Sequence, residues 1–397
     1  MKRWIGMCVT GVLLVTNIIA QTKPDQDSYY QKAAESLQTI TNLYGVPDGN
    51  YLYRETYPYD TTYSADYLGG GANENKANLY SYLWPFSGSL SAYTALLEKS
   101  MDPAVRKQID GEVLVGLEKY FDTRSPVGYA SYVNSAPLSD RFYDDNVWLG
   151  IDFTDLYLLT KQEAYLDKAE EIWQFVESGM DDKLGGGIYW CEQKKESKNT
   201  CSNAPAVVYL LKLYQATESP DYLDKAKALY DWTKKNLQDP SDKLYWDNIN
   251  LAGKVEETKY AYNTGQMIQA GALLYKLTQK KQYLLDAQEA AAAGLDYFFM
   301  PVKQDSDTSS YPTLKKGNNW FIAIMLRGYV ELYHQDQDKR FIDAFRANLD
   351  YAWLHMRDTD GLFGKDWSPQ NEQASERKWL LDQFAIAEMY ARLSSLY

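Results

Sequence analysis

Two adjacent carboxylates, Asp144 and Asp145, are the side chains of this sequence most suited to catalysis. They lie within residues 141–148, where aromatic residues flank them on both sides, and they begin a stretch that continues as an amphipathic helix to Leu159. Cleavage of a glycosidic bond needs two carboxyl groups, one that protonates the departing oxygen and one that attacks the anomeric carbon or activates a water molecule. Adjacent side chains on one helical turn lie close together, which favours direct attack and retention of configuration.

The division of roles between the two acids stays open at this level. A helix N-terminus stabilises an anion, which suits a nucleophile that must remain ionised. Two close carboxylates resist ionising together, so the pKa of one is raised and that group becomes the proton donor. An Asp-Asp pair at a helix start is, by itself, more often an N-cap than a catalyst. The aromatic surroundings and the lack of competing His or Cys chemistry favour catalysis here.

The composition narrows the choice of partner. Of the 397 residues, 15% are aromatic, including 35 Tyr and 11 Trp, and the formal net charge is −13. Flat rings with a polar edge suit clefts that bind sugars, whereas the acidic balance argues against nucleic acid and anionic membranes. The two histidines, His334 and His355, are too few for a multi-histidine zinc site. We therefore expect a neutral polysaccharide as partner, with no metal and no cofactor; the sequence gives no indication of oligomeric state.

Residues 1–20 have the pattern of a cleavable export signal. Lys2 and Arg3 precede an apolar run that ends at Ala20, and the step from Ala20 to Gln21 suits cleavage. No later segment is long and apolar enough to cross a membrane. The sequence predicts an exported protein, periplasmic or secreted, whose mature part, residues 21–397, forms one domain.

The mature part holds two cysteines, Cys191 and Cys201, separated by a polar stretch that resembles a loop. Export makes a disulfide between them chemically possible. Two unpaired thiols are an equally good interpretation.

Two kinds of helix alternate along the chain. One kind is bulky on all sides, and the other carries charges on one side, as in residues 165–173 and 222–230. Helices of the first kind recur at intervals of roughly 55–60 residues, which indicates internal repetition. They begin near Trp84, Asp145, Ser202, Asn263, Asn318 and Lys378. With segments 28–43 and 105–120 counted among the second kind, six inner and six outer helices predict an all-α fold, an (α/α)6 barrel.

The turns before the inner helices would meet at one end of such a barrel. They are rich in aromatic and amide side chains that bind sugars, although each by itself is also consistent with a turn, a helix cap or rim packing. The long irregular segment 44–82 is expected to be functional or to cover something, because such loops are uncommon in compact proteins. The substrate-binding residues predicted from these segments are Asn248, Trp84, Trp190, Asn203, Tyr262, Asn263 and Trp320.

Six separated motifs resemble glycoside hydrolase family 76, the endo-α-1,6-mannanases, and cover nearly the whole mature chain in the same order. They are DDNVWLGID at 144–152, GGGIYW at 185–190, KNTCSNAP at 198–205, YWDNI at 245–249, YNTG at 262–265 and RGY at 327–329. The resemblance implies an (α/α)6 barrel that acts without a metal, and with retention, on the α-1,6-mannan backbone of fungal cell walls. It also implies Asp144 as nucleophile, Asp145 as acid/base and Asp247 as a sugar-binding group.

Two other functions would use the same cleft. A non-catalytic mannan-binding barrel would keep the aromatic residues but would not require the acid pair. A transglycosylase of the same fold would pass a mannan chain to another sugar instead of to water. Analysis of the reaction products distinguishes these two functions from hydrolysis.

Overall fold

The computed structural model describes residues 24–65, 67–68, 77–300, 311–367 and 377–396. The predicted export signal at 1–20 lies outside these described residues. Helices of two kinds dominate the described part. The inner helices are α2 (Leu83–Ser100), α5 (Tyr143–Thr160), α7 (Thr200–Thr217), α9 (Ala261–Thr278), α11 (Asn319–Asp336) and α13 (Leu380–Ser394). The outer helices are α1 (Pro24–Tyr44), α3 with α4 (Pro103–Gln108 and Leu114–Leu117), α6 (Glu163–Glu177), α8 (Pro220–Leu237), α10 (Lys281–Phe298) and α12 (Arg340–His355).

The inner helices form a closed ring. Each packs against the next inner helix in chain order, and α13 packs back against α2. Turns of only two or three residues join α2, α5, α7, α9 and α11 to the outer helices that follow them, so each outer helix runs back along its inner partner. The remaining outer helix, α1, packs against α13. The predicted (α/α)6 barrel is confirmed.

The two sets of helices differ in burial as their sequence patterns predict. In α9 every side chain from Ala261 to Leu274 is buried, because other helices surround it. In α8 one stripe of mostly apolar residues is buried and most of its Asp and Lys residues are at least partly exposed. A helix with no polar face is stable only inside a second layer, and the amphipathic helices supply that layer.

Each of the first five inner helices ends in the same kind of turn. The residue after the helix takes a left-handed conformation, and its backbone N–H donates back to the last helical turn. These residues are Met101, Lys161, Glu218, Gln279 and Gln337. None is glycine, although a left-handed residue with a side chain costs on the order of 1 kcal/mol. The packing of each outer helix onto its inner partner outweighs this local preference.

The outer helix predicted over 105–120 is interrupted in the structure. Residues Ile109–Val113 form a π-helical turn between α3 and α4. The buried residues of this segment recur every four positions, at Val105, Ile109, Val113 and Leu117. Because an α-helix has about 3.6 residues per turn, a spacing of four drifts around the helix, and one wider turn brings the stripe back toward α2.

Short antiparallel strands connect the outer helices to the following inner helices at one end of the barrel. The pairs are β1 (Thr56–Tyr57) with β9 (Lys378–Trp379), β2 (Phe121–Asp122) with β3 (Gly128–Tyr129), β4 (Ser197–Asn199) with β5 (Trp246–Asn250), β5 with β6 (Val255–Lys259), and β7 (Phe299–Met300) with β8 (Thr313–Leu314). These strands shape the loops at the mouth of the barrel. None of the helices in the described ranges combines the length and the apolar run needed to cross a bilayer.

A buried ion cluster joins α11 to α13. Glu388 is 1% exposed and accepts hydrogen bonds from Arg327 Nε at 2.6 Å and from Arg392 Nε at 2.6 Å. Burial alone would raise the pKa of Glu388, but the two guanidinium groups outweigh it and lower the pKa to about 2. The carboxylate therefore stabilises the fold above its ordinary pKa of 4.5, and this contribution is lost as the pH falls towards 2.

We expect Glu388→Gln to lower the free energy of unfolding by about 3–5 kcal/mol, because it leaves buried guanidinium charge without its partner. Denaturant titration followed by circular dichroism measures the change. The control is Asp338→Asn, which breaks an ion pair with the exposed Arg340 and should cost less than about 1 kcal/mol. Equal costs for the two variants would contradict the assignment of a stabilising buried cluster.

Candidate active site

A cavity of about 410 Å³ opens at the barrel end where the inner helices begin. Its walls combine carboxylates, aromatic rings and amides, which are the groups that bind and cleave sugars. The predicted site residues that line it are Asp144, Asp145, Asp247, Asn248, Trp84, Trp190, Tyr262 and Trp320.

Asp144 lies in the first turn of α5 and is surrounded by hydrogen-bond donors. Its Oδ1 accepts from the backbone N–H of Asp145 at 3.0 Å, and its Oδ2 accepts from the indole N–H of Trp190 at 3.0 Å. The neighbouring Cys201 side chain also favours the ionised form of this carboxylate. Burial raises the pKa of Asp144 to about 6, and these three groups limit the rise because they favour the anion.

Asp145 is the next residue of the same helical turn but lacks such donors. Among the described residues, no hydrogen-bond donor is found for its carboxylate. Burial, and then the negative charge of Asp144, raise the pKa of Asp145 well above its ordinary value. Of the two acids, Asp144 is therefore the one that ionises first and Asp145 the one that keeps its proton.

Trp190 reaches Asp144 because backbone pairing holds its loop against the start of α5. The N–H of Tyr143 donates to the carbonyl of Trp190 at 2.9 Å, and Phe142 pairs with Cys191 in an isolated antiparallel bridge. The glycine-rich motif at 185–190 carries the indole to this position. Gly187 needs its φ of +84° there, and a side chain would clash with Trp232 at 2.6 Å.

Cys201, in the first turn of α7, lies between Asp144 and Tyr262. The Tyr262 hydroxyl favours the ionised form of the Cys201 side chain, and that side chain in turn favours the ionised form of Asp144. Burial, and then the charge of Asp144, raise the pKa of the Cys201 thiol well above its usual range. The thiol therefore stays protonated and serves as a donor rather than as a nucleophile.

A third carboxylate, Asp247, faces the cavity from β5. The side-chain N–H of Asn248 donates to its Oδ2 at 2.9 Å. Burial raises the pKa of Asp247. This carboxylate accepts only one hydrogen bond in the described part of the chain, so it has free capacity for sugar hydroxyls.

Aromatic rings from separate inner helices pack edge to face at the cavity. The ring centroids of Trp148 and Trp320 are 4.8 Å apart and those of Trp84 and Trp320 are 5.4 Å apart. Tyr262 stacks on Phe321 at 4.1 Å. Because each ring is held by its neighbours, the cavity keeps its shape without ligand.

Two predicted sugar-binding residues, Asn203 and Asn263, do not line the cavity. Asn203 is fully buried; its Oδ1 accepts from the Ile188 N–H at 2.7 Å, and its Nδ2 donates to the carbonyls of Ile188 and Asn199. It braces the glycine-rich loop. Asn263 is also fully buried, and its amide finds no hydrogen-bond partner among the described residues.

Other lining residues were missed from the sequence. Tyr67 and Tyr82 come from the segment before α2, and Tyr260 precedes α9. Cys201 also lines the cavity, although the sequence suggested for it only a disulfide or a free thiol. The unusual tyrosine content of the segment 44–82 was the available signal. The structure contains both Cys191 and Cys201 as free, buried thiols.

The cavity holds one acid that ionises first beside another that keeps its proton, and cleavage of a glycosidic bond needs two such carboxyl groups. The model of glycosyl hydrolase family 76 matches residues 54–395. The chain belongs to this family and is a glycoside hydrolase.

Solved structures of family members superpose closely on this one. A family 76 mannosidase of Bacteroides thetaiotaomicron VPI-5482 is 31% identical, with a TM-score of 0.82 over 93% of this chain and 98% of the other. A family 76 enzyme from a bovine strain of the same species is 30% identical, with a TM-score of 0.82 over 92% and 77% of the two chains. An α-1,6-mannanase of Salegentibacter sp. HEL1_6 shares 24% identity, with a TM-score of 0.71 over 92% and 98%.

A Schizosaccharomyces pombe protein, named as a candidate mannan endo-1,6-alpha-mannosidase, is 23% identical over 196 residues. The match covers 45% of this chain and 44% of the yeast protein. In this comparison the chain therefore spans less than half the length of its relative.

We expect the chain from residue 21 onward to titrate two thiols in denaturant without reductant, because Cys191 and Cys201 are unpaired. In the native state at neutral pH both should react slowly with a disulfide reagent, since burial raises the pKa of Cys191 to about 11 and raises that of Cys201 well above its usual range. A Cys191→Ser variant should titrate one thiol. Absence of reactive thiols in denaturant would instead indicate a disulfide.

Proposed function

We propose that the protein is a retaining, endo-acting hydrolase of α-1,6-mannosidic linkages in the backbone of fungal mannan. The observation that carries this proposal is the unequal hydrogen bonding of Asp144 and Asp145 at the mouth of the barrel. The choice of substrate is supported by the relatives, since the structure of an inactive variant of an α-1,6-mannanase of Salegentibacter sp. HEL1_6 was solved in complex with α-1,6-mannotriose. In that protein, the variant with two consecutive aspartates changed to asparagine is inactive.

In the first step, a carboxylate oxygen of Asp144 attacks the anomeric carbon as the bond to the departing glycosidic oxygen breaks. Asp145 gives its proton to that oxygen, and a mannosyl ester of Asp144 forms. In the second step, Asp145, now ionised, takes a proton from water while the water oxygen attacks the anomeric carbon and Asp144 leaves. Two inversions give net retention.

The walls of the cavity support action within a chain. In the ring of inner helices, α5 lies between α2 and α7. Tyr82 and Trp84 line the cavity on the α2 side of the acids, and Asp247 and Tyr260 line it on the side of the β5–β6 hairpin. Sugar units can therefore be held on both sides of the bond to be cleaved. An export signal at residues 1–20 would place the enzyme where it meets such a polysaccharide.

We expect Asp144→Ala and Asp145→Ala each to lower kcat/KM on unbranched α-1,6-mannan by at least about 10³-fold, because each removes one of the two carboxyl groups. Reducing-end assays on folded variants measure the loss. Asp145→Ala should retain more activity on a mannosyl fluoride, whose leaving group needs no proton. The matched control is Asp182→Ala, which changes the exposed member of the Asp181-Asp182 pair and should leave kcat/KM unchanged.

Product analysis of the wild type decides between the alternatives. Internal cleavage of the mannan with an α-configured initial product, read by proton NMR, is the expected result. Products longer than the added mannooligosaccharide would identify a transglycosylase. Binding without new reducing ends would identify a non-catalytic barrel, and near-normal turnover by either Asp variant would contradict the proposed roles.

We expect the pH profile of kcat/KM to fall on the acid side as the pH drops through about 6, because protonation of Asp144 removes the nucleophile. On the alkaline side it should fall only at higher pH, where Asp145 loses its proton. Cys201→Ala removes a donor that favours ionised Asp144, so its acid limb should move to higher pH. Cys191→Ala removes a second buried thiol, one that is not among the groups that lower the pKa of Asp144, and should leave the acid limb in place. An equal shift of the acid limb in both variants would contradict the role of Cys201.

A further inference from the structure

Glu55 is a buried carboxylate that the proposed reaction does not use. It precedes β1 and is 3% exposed. Its Oε1 accepts from the hydroxyl of Tyr67 and from Trp379 Nε1 at 2.9 Å, and its Oε2 accepts from the backbone N–H of Tyr82 at 2.9 Å and from Asn78 Nδ2 at 3.1 Å. Four donors thus converge on one side chain.

All four donors are neutral. No Lys or Arg forms an ion pair with Glu55 in the ranges that the structure describes. Burial raises the pKa of Glu55, and the four hydrogen bonds partly oppose that rise. Burying a carboxylate without a neighbouring cation costs free energy. Charge pairing therefore does not explain why Glu55 occupies this position.

Three of the donors belong to the segment before α2, and the fourth comes from the other end of the chain. Trp379 lies 324 residues after Glu55, at the end of the strand pair formed by β1 and β9. The backbone N–H of Leu380, the first residue of α13, donates to the carbonyl of Glu55 at 2.9 Å. Glu55 therefore ties the segment before α2 to the start of the last inner helix, where the ring of helices closes.

Glu55 holds the Tyr67 side chain, the Tyr82 backbone and the Trp379 indole, and these groups build one wall of the catalytic cavity together with Trp84, whose ring packs against Tyr67 and Trp379. Tyr67, Tyr82 and Trp84 line that cavity together with the acid pair. Trp379 is not among the lining residues and packs behind them, with its ring 5.2 Å from Trp84 and 5.4 Å from Tyr67. We call Tyr67, Tyr82 and Trp84 the aromatic wall.

We propose that Glu55 is a positioning residue for a sugar-binding subsite formed by the aromatic wall, on the side of the acid pair away from the β5–β6 hairpin. The proposal rests on the proposed function for the identity of the sugar. Glu55 touches neither the acids nor the scissile bond. It sets the orientation of the rings against which a mannosyl unit packs, and its effect is on substrate affinity rather than on the chemical step.

The substitution Glu55→Gln tests this role while preserving the size of the side chain. Each carboxylate oxygen accepts from two donors, so in either orientation the glutamine NH₂ faces two donors and both bonds are lost. We expect KM for α-1,6-mannotetraose to rise about tenfold, which corresponds to about 1.4 kcal/mol, while kcat stays within about threefold. The dissociation constant of the same sugar, measured by calorimetry in an Asp145→Ala background, should rise in parallel.

Two further variants separate positioning from general destabilisation. Trp379→Phe removes one donor to Glu55 from outside the cavity and should raise KM by a smaller factor in the same direction. Glu388→Gln makes the same change at another fully buried carboxylate, away from the aromatic wall, and should lower stability without changing KM. If Glu55→Gln does not fold, the comparison of Trp379→Phe with Glu388→Gln decides.

The outcomes distinguish this proposal from the proposed function. A wild type that cleaves α-1,6-mannan, with KM unchanged in Glu55→Gln and Trp379→Phe, would overturn the role of Glu55 and leave the function intact. A fall in kcat at constant KM would overturn it as well. A wild type that binds mannotetraose without cleaving it would contradict the proposed hydrolase activity. The comparison of dissociation constants by calorimetry would still test whether Glu55 positions the aromatic wall.

Discussion

Two neighbouring carboxylates that share one poorly solvated cavity cannot both be ionised at low cost, and the rest of this structure resolves that conflict. Asp144 accepts hydrogen bonds from the Asp145 backbone and the Trp190 indole, and the Cys201 side chain also favours its ionised form, whereas no donor to the Asp145 carboxylate is found among the described residues. The same burial therefore produces an acid that ionises first and a neighbour that holds its proton. A difference in donors, rather than in exposure, separates the two roles.

The barrel supplies those donors by bringing the starts of all its inner helices to one end. Asp144 lies in the first turn of α5, Cys201 in the first turn of α7 and Tyr262 in the first turn of α9. Trp190 comes from the loop that precedes α7. In a closed ring of helices, residues roughly one repeat apart in the chain become neighbours across a cavity. The outer helices make this ring possible because they shield the inner helices, which have no polar face, from water.

Three buried carboxylates in this barrel show how the surroundings decide a common side chain's behaviour. Glu388 faces two guanidinium groups, and its pKa is lowered. Glu55 faces four neutral donors, and its pKa is raised although its hydrogen-bonding capacity is filled. Asp145 faces no donor in the described residues and lies beside another acid, and its pKa is raised well above the ordinary value. Glu388 joins two helices, Glu55 orients aromatic rings, and Asp145 holds a proton.

The amino-acid sequence by itself determined the order of the inner and outer helices and the adjacency of Asp144 and Asp145, because periodicity and neighbourhood are local properties. It did not reveal the left-handed turns at residues such as Lys161, which contain no glycine, or the burial of Asn203 behind the glycine-rich loop. The donors to Asp144 and Glu55 were also decided only by the tertiary structure. Trp190 is 46 residues from Asp144 and Trp379 is 324 from Glu55. Backbone pairing between a loop and the start of α5 brings the first two together, and closure of the ring brings the second two together.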